Sequence, residues 1–135
     1  MSRISRTFAN LSEKSQKALI AYIMAGDPSL DATYPAVKAL RSAGVDIIEL
    51  GFPFSDPLAD GPTIQAAAYR ALQNPIGLDD YFRLIQRVRA EDDVPLILMT
   101  YYNVIYHYGL EAFAKTAGQA GLDGIIIPDL PLEES

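Results

Sequence analysis

Residues 48–65 read IELGFPFSDPLADGPTIQ, and the fold turns on them. An apolar strand carries a carboxylate, Glu49, near its end. A proline-bearing loop with two further carboxylates, Asp56 and Asp60, follows, and Pro62 suits the first turn of a helix. Barrel and open-sheet α/β enzymes build their active sites this way, at the carboxyl ends of parallel strands. Within VDIIELG, residues 45, 47, 49 and 51 share one face. Glu49 is therefore expected to point with Val45 and Ile47, into a barrel or into a helix layer.

Strand and helix units continue on both sides of this stretch. Upstream, Gly44 is expected to close a helix as its left-handed cap, with Leu30, Tyr34, Val37 and Leu40 on one side and Ser29 at its start. Pro35 inside that helix is expected to kink or shorten it. Residues 18–24, ALIAYIM, form a short apolar run stopped by Gly26 and Pro28, the pattern of a strand buried on both faces. Before it, Ile4, Phe8 and Leu11 are spaced as on one face of a lead-in helix.

Downstream, helices are predicted over residues 62–74, 79–91 and 110–120, the last capped by Gly121. Strands are predicted over 95–102 and 122–127, and Asn103 with the following VIYHYG reads as a loop. Ala43-Gly44-Val45-Asp46 is echoed by Ala120-Gly121-Leu122-Asp123, one joining device used twice. Strands alternating with helices, with little apolar–polar alternation within them, predict a parallel sheet covered by helices.

Composition bounds the function. The 135 residues suffice for one domain with a core; 50% are hydrophobic and 21% charged. A net charge of −6 argues against nucleic acid or an anionic membrane as partner. A phosphorylated substrate is still allowed, since backbone N–H groups at a helix start hold phosphate. With no cysteine, disulfides and thiolate metal sites are excluded. No apolar run has the character of a signal peptide or a membrane span, and a soluble, cytoplasmic protein is expected.

The candidate residues each carry two readings. Glu49 is either a strand-end carboxylate reaching water or a functional acid, and partial burial at such a position favours the protonated form that general acid–base chemistry uses. Asp56 and Asp60 sit in ordinary turn sequences, and Asp60 can also cap the helix at Pro62. Their company on one loop directly after Glu49 favours function. Asp27 and Asp129 read as turn residues on the same rim, and Tyr22, Tyr101 and Tyr102 as packing that also suits a planar ligand. His107, the one histidine, is expected at the surface. One histidine and no cysteine argue against a transition-metal site. Asp27, Asp56 and Asp60 make a hard-cation site conceivable, with nothing specific in its favour.

Residues 48–67 together with IAYIMAGDPS, PLILMTYYNVIYHYG and GLDGIIIPDLPLEES closely resemble the tryptophan synthase alpha chain family, over essentially the whole length. The resemblance implies the amino-terminal half of a (β/α)8 TIM barrel, α/β in class, with about four parallel strands. It implies cleavage of indole-3-glycerol phosphate to indole and glyceraldehyde 3-phosphate, with Glu49 as acid–base catalyst and Asp60 accepting the indole N–H. Tyr22, Met99, Tyr101 and Ile126 match positions of the indole pocket. A beta chain partner is implied, two alpha with two beta, met by Asp56, Pro57 and Asn103. No cofactor is expected in this chain, and pyridoxal phosphate is expected in the partner.

Family members are about twice this long. Residues 1–135 are therefore expected to form a single partial barrel domain, truncated after its fourth strand and inactive alone, with the phosphate-binding segments in the missing half. Two other readings stay open. One is a non-catalytic half-barrel that self-associates or docks a beta chain, and the other is a different barrel lyase or isomerase acting on a phosphorylated sugar derivative.

Overall fold

A computed structural model describes residues 1–134. Helix α1 (Arg3–Glu13) precedes β1 (Ile20–Met24), α2 (Leu30–Ser42) and β2 (Ile47–Gly51). Helices α3 (Pro62–Ala71) and α4 (Leu78–Arg89) lead to β3 (Leu96–Met99), and α5 (Tyr102–Tyr108) and α6 (Leu110–Ala120) to β4 (Gly124–Ile126). A 3-10 turn spans Leu132–Glu134. The four strands are parallel and lie in chain order. This is the arrangement of successive βα units on a barrel wall.

Register and alternation divide the sheet into two faces. Ile48 and Leu50 of β2 and Leu96 and Leu98 of β3 are fully buried. They share one core with Tyr34 and Val37 of α2, Tyr81, Ile85 and Val88 of α4 and Phe113 of α6. The opposite face carries Tyr22 beside Glu49 and Ile97, and one step further Met24 beside Gly51, Met99 and Ile126. Helices α2, α4 and α6 cover the first face; on the second, which corresponds to a barrel interior, Tyr22 and Met24 pack against Ile64, Ala67, Ala68 and Ala71 of α3. Val45 departs from expectation: it precedes the first residue of β2 and packs in the helix-side core, away from Ile47 and Glu49.

Burial on both faces holds for β2 and fails at the sheet margins. Ile20 of β1 and Ile125 of β4 are 45% and 43% exposed, because each edge strand lacks a neighbour on one side. The lead-in helix forms as expected, capped by the Ser2 hydroxyl. Its apolar stripe is only partly covered, with Phe8 47% exposed.

One local expectation is narrowed and another overturned. Pro35 does not shorten α2, which runs on to Ser42. The carbonyl that its missing N–H leaves free belongs to Asp31, on the exposed side. The segment from Tyr102 is helix α5, neither strand nor loop. Its tyrosines and β-branched residues favour extended structure locally, but the Asp129 carboxylate accepts a bond from the Tyr102 N–H at 2.9 Å and caps the helix from the far side of β4.

The repeated joint is a register pin. Gly44 and Gly121 end α2 and α6 at φ +94° and +87°, where a Cβ is disfavoured. The aspartate two residues on then reaches the foot of the preceding strand: Asp46 accepts from the Leu19 N–H at 2.8 Å, and Asp123 from the Leu96 N–H at 2.9 Å. Asp123 also receives Arg3 of α1 at 3.2 Å and a short contact from Arg89 of α4. The Arg89 and Asp123 side chains are only 9% and 5% exposed, and Arg89 also donates to the Gly121 and Val94 carbonyls. Burial lowers the Arg89 pKa, and the Asp123 charge counters that shift.

Removing one partner of such a buried pair strands the other charge and costs about 3–5 kcal/mol. Arg89→Ala is therefore expected to lower the urea midpoint sharply at unchanged slope, whereas Lys38→Ala, which loses an exposed partner in Glu91, is expected to shift it little.

Candidate active site

Glu49 stands in β2, half-buried on the inner face, with Tyr22 and Ile97 as its register neighbours. No hydrogen bond from the described residues holds its carboxyl group, which leaves it free to meet a ligand. The carboxyl end of β2 continues into the sheet pattern, since the Phe52 N–H donates to the Met99 carbonyl at 2.9 Å.

Residues 52–61 then arch over that end, anchored at two aromatic contacts. Phe52 meets Tyr81 edge-on at 5.9 Å, and Phe54 tilts against Tyr101 at 5.3 Å. The Tyr101 hydroxyl accepts the Ala59 N–H at 2.9 Å, and the Asp60 N–H turns back to the Pro57 carbonyl at 3.2 Å. Tyr101 is buried to 3% exposure, so its ring and its hydroxyl together clamp the loop from β3's end. Asp60 does not cap α3: the cap position is Gly61, without a side-chain bond. The Asp60 carboxylate is half-buried instead, and its charge raises the Tyr101 phenol pKa in addition to the larger effect of burial.

Tyr22 lies where these influences meet. Burial, then the charge of Asp60, then Tyr101 and Glu49 push its phenol pKa far above the usual value. Two carboxylates from different elements thus act on one ring. Met99 and Ile126 line the same inner face, while Tyr101 lies beside it at the loop base.

The remaining candidates fall on the rim. Asp56 is exposed and Pro57 half-buried on the loop, and Asn103 is exposed on α5. His107 is exposed, its Nδ1 2.9 Å from the Asn103 carbonyl. Asp27 accepts from Arg70 Nε and Nη2 at 2.8 and 2.7 Å, which lowers its pKa. That bridge ties the β1–α2 turn to α3 and takes Asp27 out of any shared group with Asp56 and Asp60. Sequence reasoning missed Arg70, whose signal was only a basic residue in a last helical turn, and it missed Gly51. A glycine inside a strand is a sign that another group comes close, and here that group is Tyr22.

Four parallel strands in chain order, joined by helices, are the βα units of the α/β-barrel class. The family model described as "Tryptophan synthase alpha chain" matches residues 8–135. The chain is 54% identical over 99% of its length to the tryptophan synthase alpha chain of Caldanaerobacter subterraneus subsp. tengcongensis, of which it spans 51%. It is likewise 54% identical to that of Methanosarcina acetivorans, of which it spans 48%.

Its structure superposes on tryptophan synthase subunit alpha from Legionella pneumophila with a TM-score of 0.96 at 45% identity, covering 99% of this chain and 52% of that one. A tryptophan synthase complex from Pyrococcus furiosus matches with a TM-score of 0.82 at 44% identity, over 87% of this chain and 48% of that one. The chain belongs to the tryptophan synthase alpha chain family. It spans about half the length of the curated relatives it matches.

Tyr101→Phe keeps the ring and deletes the acceptor for Ala59. A bond of this kind contributes about 1 kcal/mol. The Ala59 amide is therefore expected to exchange with solvent about fivefold faster by NMR, and an unchanged rate would mean that the loop is held without the Tyr101 hydroxyl.

Proposed function

We propose that this chain carries the catalytic carboxylates of a carbon–carbon lyase, which cleaves indole-3-glycerol phosphate to indole and glyceraldehyde 3-phosphate. The observation that supports it best is the placement of Glu49 on the inner face of β2, in register with Tyr22, with Asp60 half-buried on the loop that follows and that Tyr101 holds. In this reading Glu49 donates a proton to the ring carbon that bears the glycerol chain. It then takes the proton from the adjacent side-chain hydroxyl as the carbon–carbon bond breaks and the aldehyde forms. Asp60 accepts the indole N–H and stabilises the positive ring nitrogen in between. One carboxyl group cycling as acid and base, and one staying charged, is the division of labour that differing environments permit.

The inner face supplies walls for a planar ring in Tyr22, Met99 and Ile126, with Tyr101 at the loop base. Residues 1–135 act as one partial barrel domain, and we assign phosphate binding to segments outside the portion matched in the relatives. A beta chain docks on the rim at Asp56, Pro57 and Asn103, two alpha with two beta, and carries the pyridoxal phosphate. A cytoplasmic location fits a chain without cysteine.

The test is indole release by this chain alone, and mixed with the separately made carboxyl-terminal half of the Caldanaerobacter relative. Cleavage is expected only in the mixture, and Glu49→Gln is expected to lower it by about a hundredfold to ten-thousandfold. Cleavage by the mixture that survives Glu49→Gln would reject the assignment.

A second reading, a half-barrel that self-associates, has one observation behind it. Both edge strands carry exposed apolar residues, Ile20 at 45% and Ile125 at 43%, and unpaired edges of this kind recruit further strands. Made by itself, the chain is expected to sediment as a dimer or larger species, and a stable monomer at high concentration would count against this.

A further inference from the structure

Asp-Gly occurs at 60–61 and again at 123–124, and the fold treats the two dipeptides in opposite ways. A glycine leaves its own backbone nitrogen unshielded, since no side chain stands between that nitrogen and the preceding carboxyl carbon. Asp123 is nonetheless fixed. Its carboxylate accepts from Arg3 at 3.2 Å, from the Leu96 N–H at 2.9 Å and from Arg89, and its side chain is 5% exposed. Turning that carboxyl group onto the Gly124 nitrogen would break all three contacts at once. Asp60 has no such hold. Among the described residues no cation and no backbone N–H donates to its carboxylate, and the Tyr101 hydroxyl is its one hydrogen-bonding neighbour. It lies outside any helix or strand, and the exposed Gly61 has no acceptor for its N–H among the described residues. A Cβ built on Gly61 would meet nothing within 4 Å, so the nitrogen stands in the open. The loop's other aspartate, Asp56, precedes Pro57, whose nitrogen carries no hydrogen.

We propose that Asp60–Gly61 is a site of spontaneous covalent modification, where aspartate isomerises to isoaspartate through a cyclic imide, while the ion pairs on Asp123 suppress the same reaction at Asp123–Gly124. The Gly61 nitrogen attacks Asp60 Cγ. The N–Cγ bond forms, the carboxyl C–OH bond breaks, and the hydroxyl leaves with the amide hydrogen as water. A second water then opens the imide. Breaking the new N–Cγ bond restores aspartate; breaking the bond from the Gly61 nitrogen to the Asp60 backbone carbonyl leaves isoaspartate. No reactant other than water takes part. The product runs its main chain through the former side-chain methylene and keeps a carboxylate directly on Cα. The Asp60 carbonyl, which accepts the Gln65 side-chain amide at 2.7 Å, becomes part of that free carboxylate. The added backbone carbon also displaces Gly61, whose carbonyl accepts the Gln65 N–H at 3.0 Å in the first turn of α3. The chain therefore ages first on the loop after β2.

The test needs neither ligand nor activity. The chain is held for several weeks in neutral buffer, folded or unfolded in guanidinium chloride, and then cut with trypsin. Cleavage after Arg41, Arg70 and Lys115 puts the two dipeptides on separate peptides, residues 42–70 and 116–135. Isoaspartate in each is counted by an isoaspartyl carboxyl methyltransferase with a radiolabelled methyl donor. From the folded chain, peptide 42–70 is expected to carry at least about tenfold more label than peptide 116–135. From the unfolded chain the two are expected to agree within about threefold, because the contacts on Asp123 are gone. Gly61→Ala, which φ −79° and open space admit without strain, is expected to remove most of the label from 42–70 and leave 116–135 unchanged.

Equal label on the two peptides of the folded chain, or none on 42–70, would overturn the proposal. So would label on 42–70 that persists in Gly61→Ala. A peptide 116–135 that stays unlabelled even in the unfolded chain would show that the ion pairs on Asp123 are not what protects it.

Discussion

Two aspartates at the foot of the sheet hold the register on which the whole arrangement depends. Asp46 and Asp123 each catch the backbone N–H that begins the neighbouring strand, Leu19 in one case and Leu96 in the other. Side chains in a strand alternate between faces, so a slip of one residue would exchange the two faces throughout. Glu49 would then face the packed helices, and Leu50 the cavity. Asp123 carries the heavier duty, since Arg89 and Arg3 bring α4 and α1 to the same point. Charge buried at the base thus fixes geometry at the opposite end, where the chemistry lies.

At that opposite end, position is set by packing more than by polar bonds. Glu49 has no hydrogen-bond partner among the described residues, and it is the strand beneath it that aims it. Asp60 is aimed by a loop that in turn is held by the Tyr101 ring and hydroxyl. The Tyr22 ring reaches Gly51, where the absent side chain leaves it room. The rigidity of such a site lies one layer further out, in the Tyr101 clamp.

Much of the fold was legible in the residues. The helix predicted over residues 79–91 appears as α4, with Tyr81, Leu84, Ile85 and Val88 buried, and the glycine punctuation at 44 and 121 placed the joints, because helix periodicity and positive φ are local demands. The resemblance carried by SDPLADGP led to the family. Less legible was α5, whose tyrosine-rich start reads as strand until Asp129 arrives to cap it. The role of Val45 was misread because alternation was extended past the first residue of β2. Arg70's hold on Asp27 spans 43 positions in the chain, a distance no local pattern encodes.

By itself, the sequence determined the order of the strands and of every α-helix but α5, the parallel sheet, the carboxylates at the strand ends and the family, since each depends on neighbours within a few residues or on a long specific motif. Only the tertiary structure decided which faces meet. It brought Asp60 and Glu49 to one phenol, turned the Asp46 and Asp123 echo into strand pins, and made Gly51 a matter of space. Those outcomes depend on distances across strands, where two residues far apart in the chain compete for the same few ångströms.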